Sequence, residues 1–185
     1  MKGKKTLLIL GHPDKNSFSG EISKQYLASA KKAGKEIKVL NVIDMKFNPV
    51  EQQEKTEKDI IKAQELITWA DHLVFVFPIW WGNMPALLKG FFDRVFMSGF
   101  AFKYLKKKGW AKLLKGKTSR IITTMNTPIL VYKIFFQNPL KKNLKGILWF
   151  CGISPVKYTF FSPITRAGEG QRKKYLMQVR KIAKE

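Results

Sequence analysis

The feature that most narrows the fold is an alternation that runs the length of the chain: short, unbroken apolar runs, each followed by a stretch with helical periodicity. Residues 6–10 form the first run and end at Gly11, with none of the polar alternation of a half-exposed strand. Such runs suit strands buried on both faces of a parallel sheet. Phe18, Ile22, Tyr26, Ala30 and Ala33 then recur at helical spacing, with Ser17 or Ser19 placed to cap the start and Gly34 the stop. Residues 37–42 read as a second strand. Ile60, Ile61, Ala63, Leu66, Ile67 and Ala70 form the stripe of a second helix, with Thr56 as its expected cap. Residues 72–77 give a third strand ended by Pro78. A third helix is expected over 84–96, with Asn83 at the cap and Pro85 in the first turn. Residues 118–124 and 156–161 supply two further strands, and Tyr175, Leu176, Val179, Ile182 and Ala183 mark a closing helix. The pattern predicts an α/β fold, a parallel sheet with helices on both faces joined by right-handed crossovers. The aromatic, lysine-dotted stretch 129–148 fits it least well and reads as a helical insertion.

A chain of 185 residues has the size of one domain, so residues 1–185 are read as a single one. No stretch approaches the roughly 20 apolar residues of a membrane span. The basic start followed by residues 6–10 is too short an apolar segment for a signal peptide. Cys151 is the only cysteine, which rules out an internal disulfide and points to a reducing compartment, so a cytoplasmic location is expected. Its apolar surroundings suggest a buried, inert thiol.

Charge is the unusual feature. There are 35 basic and 13 acidic residues, a formal +22, and no Asp or Glu falls between Asp93 and Glu169. Such an excess suits an anionic ligand, an anionic membrane surface or nucleic acid, or is simply a lysine-rich solvated surface. Only Lys106-Lys107-Lys108 is a dense run, and no zinc-finger spacing or RNA-binding aromatic motif accompanies it, so no specific nucleic-acid partner is expected.

In an open doubly wound sheet, ligands bind outside the C-terminal ends of the strands, where strand order reverses. Three loops should meet there: 11–19, 78–83 and the segment from Met125. The first combines Gly11, His12, Ser17 and Ser19 with the start of a helix, the parts of a phosphate cradle, although the serines can equally be simple caps. It has neither the G-x-G-x-x-G of a dinucleotide fold nor a P-loop. In the second loop Trp80 and Trp81 stand together at a strand end, between Pro78 and Pro85 and beside Gly82. Exposed tryptophans there could pack on a planar cofactor, or one of them could belong to the core.

These residues resemble a known family. Gly11-His12-Pro13 with Asn16-Ser17-Phe18, the run from Phe77 through Trp80-Trp81-Gly82-Asn83-Met84-Pro85 to Phe96, and Gly99-Phe100-Ala101-Phe102 are similar to the flavodoxin-like NAD(P)H:quinone oxidoreductases, which include potassium-efflux ancillary subunits. The resemblance implies a flavodoxin-like, doubly wound five-stranded parallel sheet, bound FMN or FAD, NAD(P)H as cosubstrate, a quinone or similar acceptor, and a homodimer. It places His12, Asn16, Ser17, Phe18 and Ser19 at the flavin phosphate and ribityl chain, and Pro78, Ile79, Trp80, Trp81 and Gly82 along the ring. Thr123, Thr124 and the loop after them, including Asn126, would close the other edge, and Tyr132 would assist hydride transfer. The sequence departs from the family where Met125-Asn126-Thr127-Pro128 replaces a glycine-rich loop, and no histidine follows Tyr132.

The implied activity is two-step hydride transfer from NAD(P)H through flavin to a quinone. One alternative is an ancillary flavoprotein that docks on a membrane transporter or an anionic surface, motivated by the basic charge and the 129–148 stretch. The other is a flavodoxin-type electron carrier.

Overall fold

A computed structural model describes residues 4–51 and 56–185. Its elements are β1 (Thr6–Leu10), α1 (Phe18–Lys32), β2 (Ile37–Asn41), a 3-10 turn (Val42–Asp44), α2 (Lys58–Trp69), β3 (His72–Pro78), α3 (Ala86–Val95), β4 (Phe102–Tyr104), β5 (Trp110–Lys112), β6 (Thr118–Thr124), α4 (Ile129–Ile134), α5 (Pro139–Cys151), β7 (Val156–Phe161) and α6 (Glu169–Ile182). Five strands make one parallel sheet in the order β2-β1-β3-β6-β7, and β4 and β5 form a separate antiparallel hairpin. Every residue of β1 is buried, as its unbroken apolar run requires. Among the described residues, no helix is long and apolar enough to cross a membrane.

Two apolar layers sandwich the sheet, and side-chain alternation along each strand assigns residues to them. Leu8, Leu10, Val74, Val76 and Ile122 face α1 and α6, where they meet Ile22, Tyr26, Val179 and Ile182. Leu7, Ile9, Phe75, Phe77 and Ile121 face α2, α3 and α5. Each of these side chains contributes about 1.5–3 kcal/mol on full burial. Cys151 lies buried in the second layer, and burial pushes its thiol up to about 11, so it is inert at neutral pH.

Several expectations need correction. Thr56 does not cap α2; Glu57 holds the N-cap position, and its carboxylate is engaged by Arg94 and by the Asn48 amide instead of the helix. Asn83 does not cap α3. The cap position belongs to Pro85, while the Asn83 side chain bonds the Met84 amide inside a tight turn. The 129–148 stretch is only partly an insertion, because α5 buries Leu140, Leu144 and Leu148 as the ordinary crossover helix between β6 and β7. The β4–β5 hairpin was not expected, since strands of three residues are too short to show a period.

The connection before α2 is clamped onto α3. Arg94, buried to 4% exposure, pairs with Glu57 at 2.6 Å and also donates to the Asn48 carbonyl. At Gly90 an added Cβ would lie 2.4 Å from Pro49 Cβ and 2.8 Å from its carbonyl oxygen. Gly90→Ala should therefore destabilise the protein by about 1–3 kcal/mol through overpacking against backbone. Urea denaturation checks this, with an unchanged far-UV spectrum expected at zero urea.

Candidate functional site

The sheet order creates a crevice. β1 and β3 are neighbours, yet β1 exits into α1 on one face of the sheet and β3 exits into α3 on the other, so the gap between their C-terminal ends is left open among the described residues. A cleft of about 230 Å³ opens there.

Its first wall is the turn before α1. Asp14 Oδ1 accepts from the Asn16 amide at 2.8 Å, and Ser17 Oγ donates to the Asp14 carbonyl at 2.7 Å. Ser17 is also the N-cap, accepting from the Gly20 amide at 3.3 Å. The amides of Phe18 and Ser19 have no intrahelical partner, and the positive end of a 15-residue helix adds to them. Gly20 makes this tight turn feasible, because a Cβ there would lie 2.0 Å from the Lys15 carbonyl oxygen. A glycine in a helix's first turn is the signal in the sequence for this turn, and Gly20 was not among the expected site residues.

His12 stands beside this seat. Its Nδ1 accepts from the Asp14 amide at 2.8 Å, and its ring meets Trp80 edge-on at 5.6 Å. Burial lowers its pKa below the ordinary value, opposed by Asp14, so the imidazole is mostly neutral at pH 7. The lining contains no carboxylate among the described residues, which keeps the cleft hospitable to an anion.

The second wall is Pro78, Ile79 and Trp80. The Trp80 and Asn83 backbones exchange hydrogen bonds at 2.9 and 3.0 Å across a two-residue turn, with Trp81 at φ 48° and Gly82 at φ 79°. Two positive φ values in succession define a type I′ turn, which suits glycine but is uncommon for tryptophan. The consequence is a division of labour: Trp80 is 45% exposed and lines the cleft, whereas Trp81 projects fully into solvent and does not.

The third wall is Thr124, Met125 and Asn126, joined by Ile164 and Thr165. Thr124 Oγ1 lies 3.1 Å from Ser19 Oγ, and Asn126 Oδ1 accepts from both the amide and the hydroxyl of Thr165 at 2.8 and 2.7 Å. Ile164 and Thr165 went unnoticed in the sequence. They follow β7, the neighbour of β6, whose exit loop must come near the same edge.

Besides Trp81, four more expected site residues lie outside the cleft. Asn16 is exposed on the outside of its turn. Gly82 shapes the turn without lining the cleft. Thr123 is buried with its hydroxyl lacking a partner among the described residues, and strand alternation turns it to the opposite face from Thr124. Tyr132, expected beside a reacting ring, is 2% exposed; its hydroxyl donates to the Gly82 carbonyl at 2.9 Å and accepts from the Leu140 amide at 3.2 Å. It ties the tryptophan turn to the start of α5, and desolvation raises its pKa, so it stays protonated.

An anion seat of amides and a hydroxyl, continuous with a flat, partly exposed indole and an apolar rim, matches a phosphorylated planar cofactor. Ser17, Phe18 and Ser19 could hold its phosphate, and Pro78, Ile79, Trp80 and Asn126 could border its ring.

The chain is similar to known proteins over nearly its whole length. Residues 4–184 match the family model described as flavodoxin-like fold. An uncharacterized NAD(P)H oxidoreductase of Haemophilus influenzae is 29% identical over 90% of this chain and 88% of its own length. The ribosyldihydronicotinamide dehydrogenase [quinone] of Mus musculus is 29% identical over 94% of this chain and 87% of its own. The crystal structure of Smu.1420 from Streptococcus mutans superimposes with a TM-score of 0.87 at 41% identity, covering 97% of this chain and 98% of that one.

Tyr132→Phe removes the bond to Gly82 and leaves the buried Leu140 amide unpaired. A loss of about 1–3 kcal/mol is expected. Urea denaturation measures it, and the tryptophan emission should shift as the turn loosens.

Proposed function

The chain belongs to the flavodoxin-like fold family, and from that premise we propose that it is a flavin-dependent NAD(P)H oxidoreductase that reduces a quinone or similar small acceptor. The observation that carries this reading is the single cleft in which the Ser17 turn and the Trp80 wall meet. A bound flavin would supply the redox chemistry, taking two electrons as hydride from NAD(P)H and passing them to the acceptor, so that NAD(P)H, a proton and a quinone become NAD(P)⁺ and a hydroquinone. The names borne by the two 29%-identical relatives support this assignment.

The chain's own residues bind, orient and exclude water. The Phe18 and Ser19 amides and the helix end would hold the phosphate without a salt bridge, with Ser17, its proton on the Asp14 carbonyl, fixing the turn that presents them. Neutral His12 buttresses Trp80 and adds no competing charge. Pro78, Ile79 and Trp80 form the ring wall, and Thr124 and Asn126 fix the far rim through Ser19 and Thr165. Tyr132 and Gly82 act as positioning residues for the turn, and Asn16 and Thr123 support its surroundings without touching the ligand. The acid-free segment 94–168 draws in the anionic nicotinamide cosubstrate, an effect that weakens with salt. Residues 1–185 act together as one flavin-binding domain.

The reading extends to a homodimer. Trp81, Leu130, Ile134, Phe135 and Phe136 are large, apolar and exposed. They lie close together, since Tyr132 bonds Gly82 and a Cβ at Gly82 would lie 4.0 Å from Phe136. A contiguous apolar patch of this kind beside a cleft suits a subunit interface.

Ser17→Asp tests the function, because aspartate caps as well as serine but places a negative charge at the phosphate seat. FMN affinity should fall by at least about tenfold while the fold is kept with a modest loss of stability from the missing bond to the Asp14 carbonyl, and quinone-dependent NAD(P)H oxidation should fall with the affinity. Unaltered FMN binding in this variant, or no binding by the parent protein, contradicts the reading. For the dimer, sedimentation velocity should give a two-subunit species that Phe135→Lys converts to monomer.

A further inference from the structure

The end of the sheet remote from the cleft carries a second concavity. Thr6, His72 and Thr118, the first residues of β1, β3 and β6, border a cavity of about 490 Å³. Four cations line it, Lys4, Lys35, Arg120 and Lys157, against one carboxylate among the described residues, that of Glu185. Arg120 is buried to 7% exposure, and its guanidinium donates to the Glu185 carboxylate and, at 3.4 Å, to Thr159 Oγ1. Lys157 Nζ lies 3.7 Å from the same Glu185 oxygen. One half-exposed carboxylate thus serves four positive groups, and a positive excess remains in a partly enclosed space.

The titratable groups around the cavity register that excess. His72, whose Nδ1 lies 2.7 Å from Thr118 Oγ1, has its pKa pushed down to about 4, by burial first and then by Arg120, Lys35, Lys4 and Lys157. Burial lowers Lys35 as well, opposed by Glu185 and reinforced by Arg120 and Lys4. Tyr26, from α1, is raised to about 12 by burial, with Arg120 and Glu185 acting in opposite directions. Burial, the largest cause in each case, disfavours charge of either sign; it is the push of Arg120, Lys35, Lys4 and Lys157 on His72 and of Arg120 and Lys4 on Lys35 that marks the positive excess an anion would relieve.

We propose that this cavity binds the phosphoryl group of a small phosphate monoester, whose oxygens replace the Glu185 carboxylate on Arg120 while Lys35 and Lys157 share its charge. A phosphoryl dianion balances the three-charge excess better than a second carboxylate does, and the guanidinium fork matches its oxygens. Tyr26, Pro155 and Ile182 give the organic part of the ester an apolar wall. The Glu185 side chain then acts as a tethered competitor that fills the seat when no ligand is present. This site does not depend on the redox reading, because it lies at the other end of the strands.

The chain's two histidines report on the two ends separately, His12 at the flavin cleft and His72 here. In an NMR titration of the protein with phenyl phosphate, the His72 ring signals should move saturably while those of His12 stay still. A bound anion stabilises the imidazolium, so the His72 pKa should rise from about 4, while binding should weaken as pH falls through the second pKa of the phosphate, about 6, where the dianion is lost. Inorganic phosphate should bind more weakly than the ester. Lys35→Gln combined with Lys157→Gln should weaken phenyl phosphate roughly tenfold or more, and Glu185→Gln should tighten it by removing the competitor. Four results overturn the proposal: a response confined to His12, no response at either histidine, equal affinity for inorganic phosphate, or unchanged or weaker binding in the Glu185 variant.

Discussion

The parallel pairing of β1 with β3, with their following helices sent to opposite faces, is the constraint on which the rest depends. Strands buried on both faces can turn only at their ends, so polar loops collect at the two edges of the sheet. Where neighbouring strands feed helices on opposite sides, the loops part and leave a crevice. The Ser17 turn and the Trp80 turn stand on either side of that gap, and each is fixed by its own backbone bonds before any ligand arrives. The cost of organising the site is thereby met in folding, which leaves more of the interaction energy for binding.

Much of this was legible in the sequence because burial on both faces leaves a simple trace. The apolar runs of β1, β3 and β6 located the central strands, and Ser17 was placed at the helix start where the structure has it. What could not be read was decided by conformation, not polarity. Trp80 and Trp81 are identical in composition, and only the positive φ of Trp81 sends one to the cleft and the other to solvent. Tyr132 shows the same limit, since nothing local in its sequence reveals that its hydroxyl is taken up by Gly82 and Leu140, 50 and 8 residues away. Thr56 and Asn83 failed as caps because the helices begin further along, with Glu57 and Pro85 at the cap positions, and the Asn83 side chain is taken by the Met84 amide. Cap residues are a weak signal wherever a tertiary contact competes.

The large positive charge acquires a more specific sense from the structure. At the cleft it acts at long range, since the lining itself carries neutral donors and a helix end instead of lysines. At the opposite edge the cations converge directly, with Arg120 buried and Lys35 desolvated around one carboxylate. The same surplus can therefore steer anions to one end by field and hold them at the other by contact.

A crystal structure of the protein saturated with FMN tests the crevice most directly. The phosphate is expected within hydrogen-bond reach of the Phe18 and Ser19 amides at the Ser17 turn, with the ring against Pro78, Ile79 and Trp80. FMN seated at any other place, or absent from this crevice at saturating concentration, would contradict the assignment of the cleft.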